Sequence, residues 1–410
     1  MSDVVIIGGG IVGVSSAYYL AKKGVSVTLV EKGRVGAEQS SRNWGAVRQQ
    51  GRDPAELPLM QACSREIWGS LEAELETSLD WRREGQMRIA YDSQMLESFE
   101  AFMPVARAHG LDTEILTPGQ IAETLPHYDS REALGAMFTP SDGCANPEKV
   151  APAFAAAARR LGATINENCA AFDIERQGGK VCGVATEQGL IKTSQVLVAA
   201  GAWSSRILDP LGVRHPSLWV RASVAKTRPI ELNLRKLVVW GKCAHRQRPD
   251  GRVILAVAAD GFHDLCLDSF RFGASYVPLA RKHWRKLKFA FSRTSREALA
   301  GEYKDFTRHR ILDPKPDAAG LRQAARLFRE EYPDAPELHF ENSWAGQIDF
   351  MPDELPVISA ETAVPGLAIA AGFSGHGFGL APVVGRSMAE LLASGRCDFN
   401  LEPFCPRRWE

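Results

Sequence analysis

The first 31 residues constrain this chain most. Val4-Val5-Ile6-Ile7 is a short apolar run, followed at once by Gly8-Gly9-Gly10-Ile11-Val12-Gly13, which carries a G-x-G-x-x-G spacing. Residues 14–22 read as a helix with Ala17, Leu20 and Ala21 on one face; Gly24 ends it, and residues 25–30 form a second apolar strand closed by Glu31. In such a unit Gly8 permits the tight turn, Gly10 lets the backbone approach a pyrophosphate and Gly13 lets helix and strand pack closely. The helix start offers N–H groups and a positive dipole end to phosphates. Glu31 stands where a carboxylate holds a ribose 2′-OH, which disfavours the 2′-phosphate of NADP. The plain alternative is a glycine-rich turn in an ordinary α/β domain. The strand before, the helix after and the acid at the end argue instead for a bound dinucleotide.

At 410 residues the chain is long enough for two domains. Lys plus Arg equals Asp plus Glu at 49 each, so charge gives no support for nucleic acid as a partner. No apolar run approaches the ~18 residues of a membrane span. Asp3 replaces the basic start of a signal peptide, and the apolar N-terminal stretch is the glycine fingerprint itself. The eight cysteines are scattered without a C-x-x-C, which excludes a metal site built by local spacing; reduced thiols in a cytoplasmic protein are expected.

Residues 34–52 form a long loop rich in Gly, Ser, Asn and Arg, suited to close approach to a ligand. Residues 54–79 read as a helix, 81–90 as a strand pair around Glu84-Gly85, and 94–109 as a further helix. Thr117-Pro118 and Asn146-Pro147 each read as N-cap and first helical position. Residues 163–167, 170–175, 181–186 and 189–199 read as strands, with Gly178-Gly179 as a hairpin turn and Ala200-Gly201-Ala202-Trp203 closing the last. Residues 218–258 are strand-like around a turn at Pro249-Asp250-Gly251. Residues 275–299 read as helical and basic, with RKHWRKLK read as a solvated or inter-subunit face; 317–332 is another helix, and 338–350 and 356–358 are strands. A second strand, glycine loop and helix closes the chain: residues 367–371, Gly372 to Gly379, and a helix to about Ser394.

These features, in this order, resemble the FAD-dependent D-amino-acid oxidase and sarcosine oxidase superfamily. The resemblance rests on VVIIGGGIVGVSSAYYLAKKGVSVTLVEKG, SSRNWGAVRQ, DGCANPEKVAPAFAAAARRLGA, VAAGAW and AAGFSGHGFGLAPVVGRSMAELL. It is nearest to the glycine oxidase, D-amino-acid dehydrogenase and sarcosine or opine oxidase β-subunit types. It implies a mixed α/β fold with a discontinuous Rossmann-like FAD-binding domain, residues 1–85, 145–217 and 345–410. A mixed-sheet substrate domain, residues 86–144 and 218–344, would be inserted in it.

For the cofactor, the resemblance implies that Gly8, Gly10 and Gly13, with Ile11 and Val12 between them, hold the FAD pyrophosphate. Glu31 and Lys32 would sit at the adenosine ribose, and Ser40, Ser41, Arg42 and Asn43 along the path to the flavin, with Gly45 and Ala46 near the ring. Ala170 and Ala171 would flank the adenine, and Ala200, Gly201 and Trp203 would pack on the dinucleotide. Gly372, Gly375, His376, Gly377, Phe378 and Gly379 would meet the pyrimidine end of the flavin.

Two departures from the family matter. Its monomeric sarcosine oxidases carry a flavin-linked cysteine where Asn342-Ser343-Trp344-Ala345-Gly346 stands here, so non-covalent FAD is expected. Those enzymes also have a lysine that helps hold the substrate acid, where this chain has Gly379.

The implied chemistry is oxidation of an amino acid or secondary amine, such as an N-alkyl amino acid or opine. A hydride would pass from Cα–H to flavin N5, giving an imine that hydrolyses, with O₂ or an electron carrier as acceptor. The helix starting near Gly379 would stabilise charge on the flavin. His376 is a candidate for the flavin-side pocket; the alternative is a histidine satisfied by backbone within its own loop. A substrate carboxylate wants a bidentate guanidinium. Arg48 and Arg52 lead as its anchors, followed by Arg221 and Tyr276. Alternatives are a 2-hydroxy-acid dehydrogenase on the same fold, the catalytic β-subunit of a hetero-oligomer, and a non-catalytic dinucleotide-binding regulator.

Overall fold

The computed structural model of the chain describes residues 2–241, 243–257, 261–283 and 287–409. The N-terminal unit forms as read: strand β1 (Val4–Ile7), helix α1 (Ile11–Lys22) and strand β2 (Val27–Val30). Four further strands complete a six-stranded sheet among the described residues: Val357–Ser359, Leu367–Ala371, Gln195–Val198 and Thr164–Asn166. Their order is Val357–Ser359, Leu367–Ala371, Gln195–Val198, β1, β2, Thr164–Asn166, all parallel except the first pair. Both faces of this sheet are covered at its centre, which is why β1 and Leu367–Ala371 are continuously apolar. Val4 and Ile6 pack with the helices, whereas Val5 and Ile7 enter a second core under residues 171–184.

On the helical face α1 crosses the C-terminal helix Gly377–Ser394. Gly385 is what lets them meet: a Cβ there would stand 2.7 Å from Ser15 Cβ and nearer still to its Oγ. Ser15 Oγ donates across the crossing to the Ala381 carbonyl at 3.0 Å.

A second sheet, of ten strands among the described residues, is built mainly from later residues. Its centre runs from strand β3 (Gln86–Ala90) through β4 (Leu237–Trp240), β5 (Cys243–Gln247) and β6 (Arg252–Val257) to the long strand Leu218–Pro229. The strand Phe340–Phe350 pairs with the last of these over its whole length, spanning the junction expected at 344/345. Helix Ala318–Glu331 covers one face through Ala324 and Phe328, with Tyr332 just beyond its end.

Several local expectations need correction. Residues 54–79 are a broken helix: Leu57–Ala62, a π-helical turn Cys63–Ile67, then Leu71–Leu75. The widened turn, closed by Trp68 N–H on the Cys63 carbonyl, lets Cys63 Sγ and Trp68 Nε1 both donate to the Gly379 carbonyl at 3.0 Å. Residues 81–90 hold one strand, not a pair; Arg82 instead bridges to Cys144. Residues 189–199 split into Gly189–Lys192 and Gln195–Val198, which belong to different sheets. The stretch 275–299 is helix Val277–His283, strand Leu287–Ala290 and helix Arg293–Leu299; residues 284–286 of RKHWRKLK lie outside the described residues. The loop at 34–52 contains a short helix, Gln39–Arg42, and a two-residue strand, Ala46–Val47, paired with Gly143–Cys144. The Thr117 capping box and the Asn146 cap form as read.

Candidate active site

A cleft of about 1210 Å³, counting its open mouth, runs from Glu31 to Phe378. The first glycine loop forms its floor, and the three glycines act differently. A Cβ on Gly8 (φ 112°) would collide with the Ala199 carbonyl, and one on Gly13 with the Gly8 carbonyl. At Gly10 a Cβ would meet only Ser40 Oγ, at 3.2 Å, so this position opens on the cleft. Ile11 and Val12 line the cleft beside it, and the first turn of α1 carries no acidic residue. Ile11 N–H donates to Ser40 Oγ at 2.8 Å. Glu31 accepts from Gly9 N–H and Gly33 N–H at 2.7 Å each, which fixes its carboxylate at the cleft wall; burial raises its pKa. This donor set fits an adenine dinucleotide: an open glycine, a helix start free of acids and a fixed carboxylate.

The other expected cofactor residues divide into walls and supports. Ala171, Ala200, Gly201, Trp203, Gly375, Gly377 and Phe378 border the cleft, as do Ser40 and Asn43. Asn43 also shapes its own loop, donating to the Gln39 and Ser40 carbonyls and accepting from Gly45 N–H. Lys32 borders the cleft, but its ammonium is tied to Glu38 at 2.8 Å and to the His309 and Arg310 carbonyls, 4.2 Å from the Trp203 ring centre.

Ser41 and Arg42 brace the loop from behind, through the Glu38 carbonyl and through Ala37, Asp313 and Ala345. Gly45 (φ 89°) packs on the Ala145 carbonyl and the Arg246 guanidinium, and Ala46 pairs with Cys144. Ala170 is buried, its N–H on Glu187 at 2.7 Å. Gly372 N–H donates to Asp349 at 2.6 Å behind the second loop. Gly379 lies inside the helix, its carbonyl taken by Cys63 and Trp68.

Beside the second loop, at Gly375 and Gly377, charged groups gather. Arg48 Nη1 donates to the Gln50 carbonyl at 2.7 Å, and Nη2 stands 3.5 Å from His376 Nε2. His376 Nδ1 lies 3.0 and 3.1 Å from the two oxygens of Glu56, which is fully buried. Burial, then Arg52, lowers His376 to about 4, so its ring is neutral at pH 7. Burial alone would raise Glu56, but His376, Arg52 and Arg48 together hold it below the usual carboxylate range. The tautomer follows: Nδ1–H donates to the Glu56 carboxylate, leaving the Nε2 lone pair toward Arg48. His376 is therefore satisfied by side chains, not by its own loop's backbone, and it positions Arg48.

Among the described residues Arg48 makes no ion pair. Asp142 accepts from Gln49 N–H at 2.6 Å, and burial raises its carboxyl to about 7.

Three expected substrate contacts are not brought to this point. Arg52 is buried beneath Arg48: its Nε donates to the Arg48 carbonyl at 3.1 Å, and its Nη1 stands 3.8 Å from Glu56. Arg221 alternates onto the face of its strand opposite Val224 and is tied to Asp264 at 3.4 Å and to the Lys315 carbonyl. Tyr276 is a backbone staple: its hydroxyl accepts from Leu218 N–H and bonds to the Pro216 and Phe350 carbonyls. Sequence reasoning missed Glu56, Asp142 and Arg88. The legible signal was the Arg52/Glu56 spacing of four, and a lone arginine in the apolar run at 86–90.

A family model described as DAO, FAD dependent oxidoreductase, matches residues 3–391. The chain is 24% identical to sarcosine oxidase subunit beta of Rhizobium meliloti (strain 1021), covering 96% of this chain and 85% of that one. It is 24% identical to the mitochondrial sarcosine dehydrogenase of Homo sapiens, covering 100% of this chain but 41% of the relative, so it spans less than half that protein's length. Among solved structures, L-amino acid deaminase from Proteus myxofaciens in complex with anthranilate matches with a TM-score of 0.92 at 26% identity, covering 100% of this chain and 94% of that one.

Proposed function

The chain belongs to the FAD-dependent oxidoreductase (DAO) family and is an FAD-dependent enzyme, and from that premise we propose that it oxidises the C–N bond of an amino acid or secondary amine, giving an imine that hydrolyses. The observation that carries this reading is Arg48. Its guanidinium is held by the Gln50 carbonyl and the Glu56–His376 pair, makes no ion pair among the described residues, and lies beside the second glycine loop. A planar fork in a desolvated recess is what fixes an α-carboxylate. Bound FAD would supply the hydride acceptor and the route for electrons to O₂ or a carrier. The chain's own residues do the rest: Gly10 and Glu31 face the pyrophosphate and ribose, the second glycine loop faces the flavin, and Arg48 orients the substrate.

Sarcosine, dimethylglycine and free amino acids are substrates named for relatives, and they define the panel for this chain. The β-subunit relative also makes a hetero-oligomer a reading to test. Eight unpaired thiols fit the cytoplasm, and no helix among the described residues is long and apolar enough to cross a membrane.

The test is anaerobic mixing of the holoenzyme with D- and L-amino acids, sarcosine, dimethylglycine, proline and opines, watching the flavin absorbance bleach. Bleaching with release of amine or ammonia is expected. Bleaching by 2-hydroxy acids alone would replace this reading with the hydroxy-acid one.

A further inference from the structure

Arg88 sits in the middle of β3, in the run Gln86–Ala90. Met87 and Ile89 point into the core under helix Ala318–Glu331, so Arg88 points to the opposite face of the sheet. Along that face its row is apolar, passing from Met137 on one side through Val239, Ala244, Ala256 and Val224 to Trp344 on the other. Trp344 Nε1 donates to the Arg42 carbonyl at 2.9 Å, so the row ends over the loop at 39–46.

A lone guanidinium in such a row needs a partner, and the described residues supply none. Among the described residues Arg88 makes no hydrogen bond and no ion pair; its neighbours are the Phe99 ring, 5.5 Å from Cζ, and Arg48, which repels it. Burial, then Arg48, lowers its pKa to about 10, so it stays charged at pH 7. A Cβ built on Gly51 would stand 3.2 Å from Arg88 Nη1 and 3.7 Å from Arg48 Nη1. The two forks therefore border one small space. The acids that act on Arg48 are Asp142, Glu56 and Glu354; Glu56 is shared with His376 and Arg52, and none of the three acts on Arg88.

We propose that the substrate carries two carboxylates, one held by Arg48 and the second by Arg88: an amino acid or secondary amine with an additional acid in its side chain or N-substituent. This rests on the reading above that Arg48 anchors a substrate carboxylate. Each guanidinium takes one carboxylate through two parallel hydrogen bonds, and a dianion removes the repulsion between the two forks.

The test uses holoenzyme and the non-oxidisable acids succinate and glutarate against acetate and butyrate, with binding followed by the flavin absorbance change. The diacids should bind wild type at least tenfold more tightly, and Arg88→Met should erase that preference while leaving acetate and butyrate unchanged. Arg88→Lys, which keeps charge but loses the fork, should fall between and serves if the Met variant does not fold. In the anaerobic assay aspartate, glutamate and N-carboxymethyl amino acids should lose at least thirtyfold in the second-order rate constant of flavin bleaching on Arg88→Met, and alanine and sarcosine little. Equal binding of mono- and diacids to wild type overturns the proposal. So does an Arg88→Met variant that weakens acetate as much as succinate, since both forks would then share one carboxylate. If no amine bleaches the flavin, the proposed function fails, while the succinate preference still reports on Arg88.

Discussion

Arg48 and Asp142 act on each other in one recess, and burial tunes both. Arg48→Ala removes both charge and fork; Arg48→Lys keeps the charge. Losing a fork-to-carboxylate pair in a desolvated pocket costs about 2–5 kcal/mol. We expect KM to rise in both variants, more for Ala, with FAD content unchanged; steady-state kinetics on flavin-normalised protein measures it. Unchanged kcat/KM in both would remove Arg48 as the anchor. Asp142 gives a pH signature. Burial raises its carboxyl from 3.8 to about 7, so between those values the folded protein keeps a proton that the unfolded chain has lost. Unfolding free energy therefore falls as pH rises from about 4 to about 7 and is flat beyond, by on the order of 4 kcal/mol for a change of this size. Asp142→Asn should flatten that fall: relative to wild type, its Tm should be higher at pH 8 than at pH 5. Asp349, raised by burial to about 6, titrates in the same direction but is present in both proteins, so the difference isolates Asp142. Parallel Tm curves for the two proteins would show that Asp142 ionises normally.

At the scale of elements, the glycine loop and α1 separate cofactor binding from folding. Gly10→Val places its side chain toward the cleft, where only Ser40 Oγ is near, so FAD affinity should collapse while the apoprotein melts close to wild type. Gly13→Ala drives a methyl into the Gly8 carbonyl and should fail to fold or melt far lower. A Gly10→Val protein with full FAD content would mean the cofactor lies elsewhere. The α1 crossing with helix Gly377–Ser394 gives a second case. Gly385→Ala pushes a methyl against Ser15 in a fully buried contact, and overpacking of this kind costs about 1–3 kcal/mol. Because these helices also carry the two glycine loops, FAD affinity should fall with Tm; differential scanning fluorimetry with a flavin titration reads both, and an unchanged Tm would show that the crossing can relax. The βαβ unit was legible in sequence because its signals are local: a turn, a cap, an alternation of apolar residues over 31 positions. The π-helical turn was not legible, because the carbonyl that Cys63 and Trp68 share belongs to Gly379, more than 300 positions away. Arg88 and Asp142 meet Arg48 only through the pairing of distant strands, and Arg221 was misread because strand alternation, not position in the chain, decides the face it occupies.

Across the whole molecule the cleft draws on Gly8 near the N-terminus, Ala171 and Gly201 in the middle, and Phe378 near the C-terminus, so a bound cofactor links three separated segments. No cysteine, histidine or tyrosine is among the described residues lining it, and the stretch Asn342-Ser343-Trp344-Ala345-Gly346, where related enzymes carry a flavin-linked cysteine, has none. Flavin held only by contacts leaves when the fold is lost. Acid or heat precipitation should therefore release all the flavin into the supernatant, where chromatography should identify it as FAD. FAD held without a covalent link, as expected, would make stability depend on free cofactor. A ligand that binds only the folded state adds about 2.7 kcal/mol at one hundred times its Kd. The apoprotein should melt below the holoprotein, and its Tm should climb as FAD is added; on the proposal that Glu31 meets an unphosphorylated adenosine ribose, FMN, which lacks that ribose, and NADP, which phosphorylates it, should have little effect. Flavin that stayed with the acid pellet would reveal a covalent bond outside the described lining, and a Tm indifferent to added FAD would mean that the three segments hold together without it.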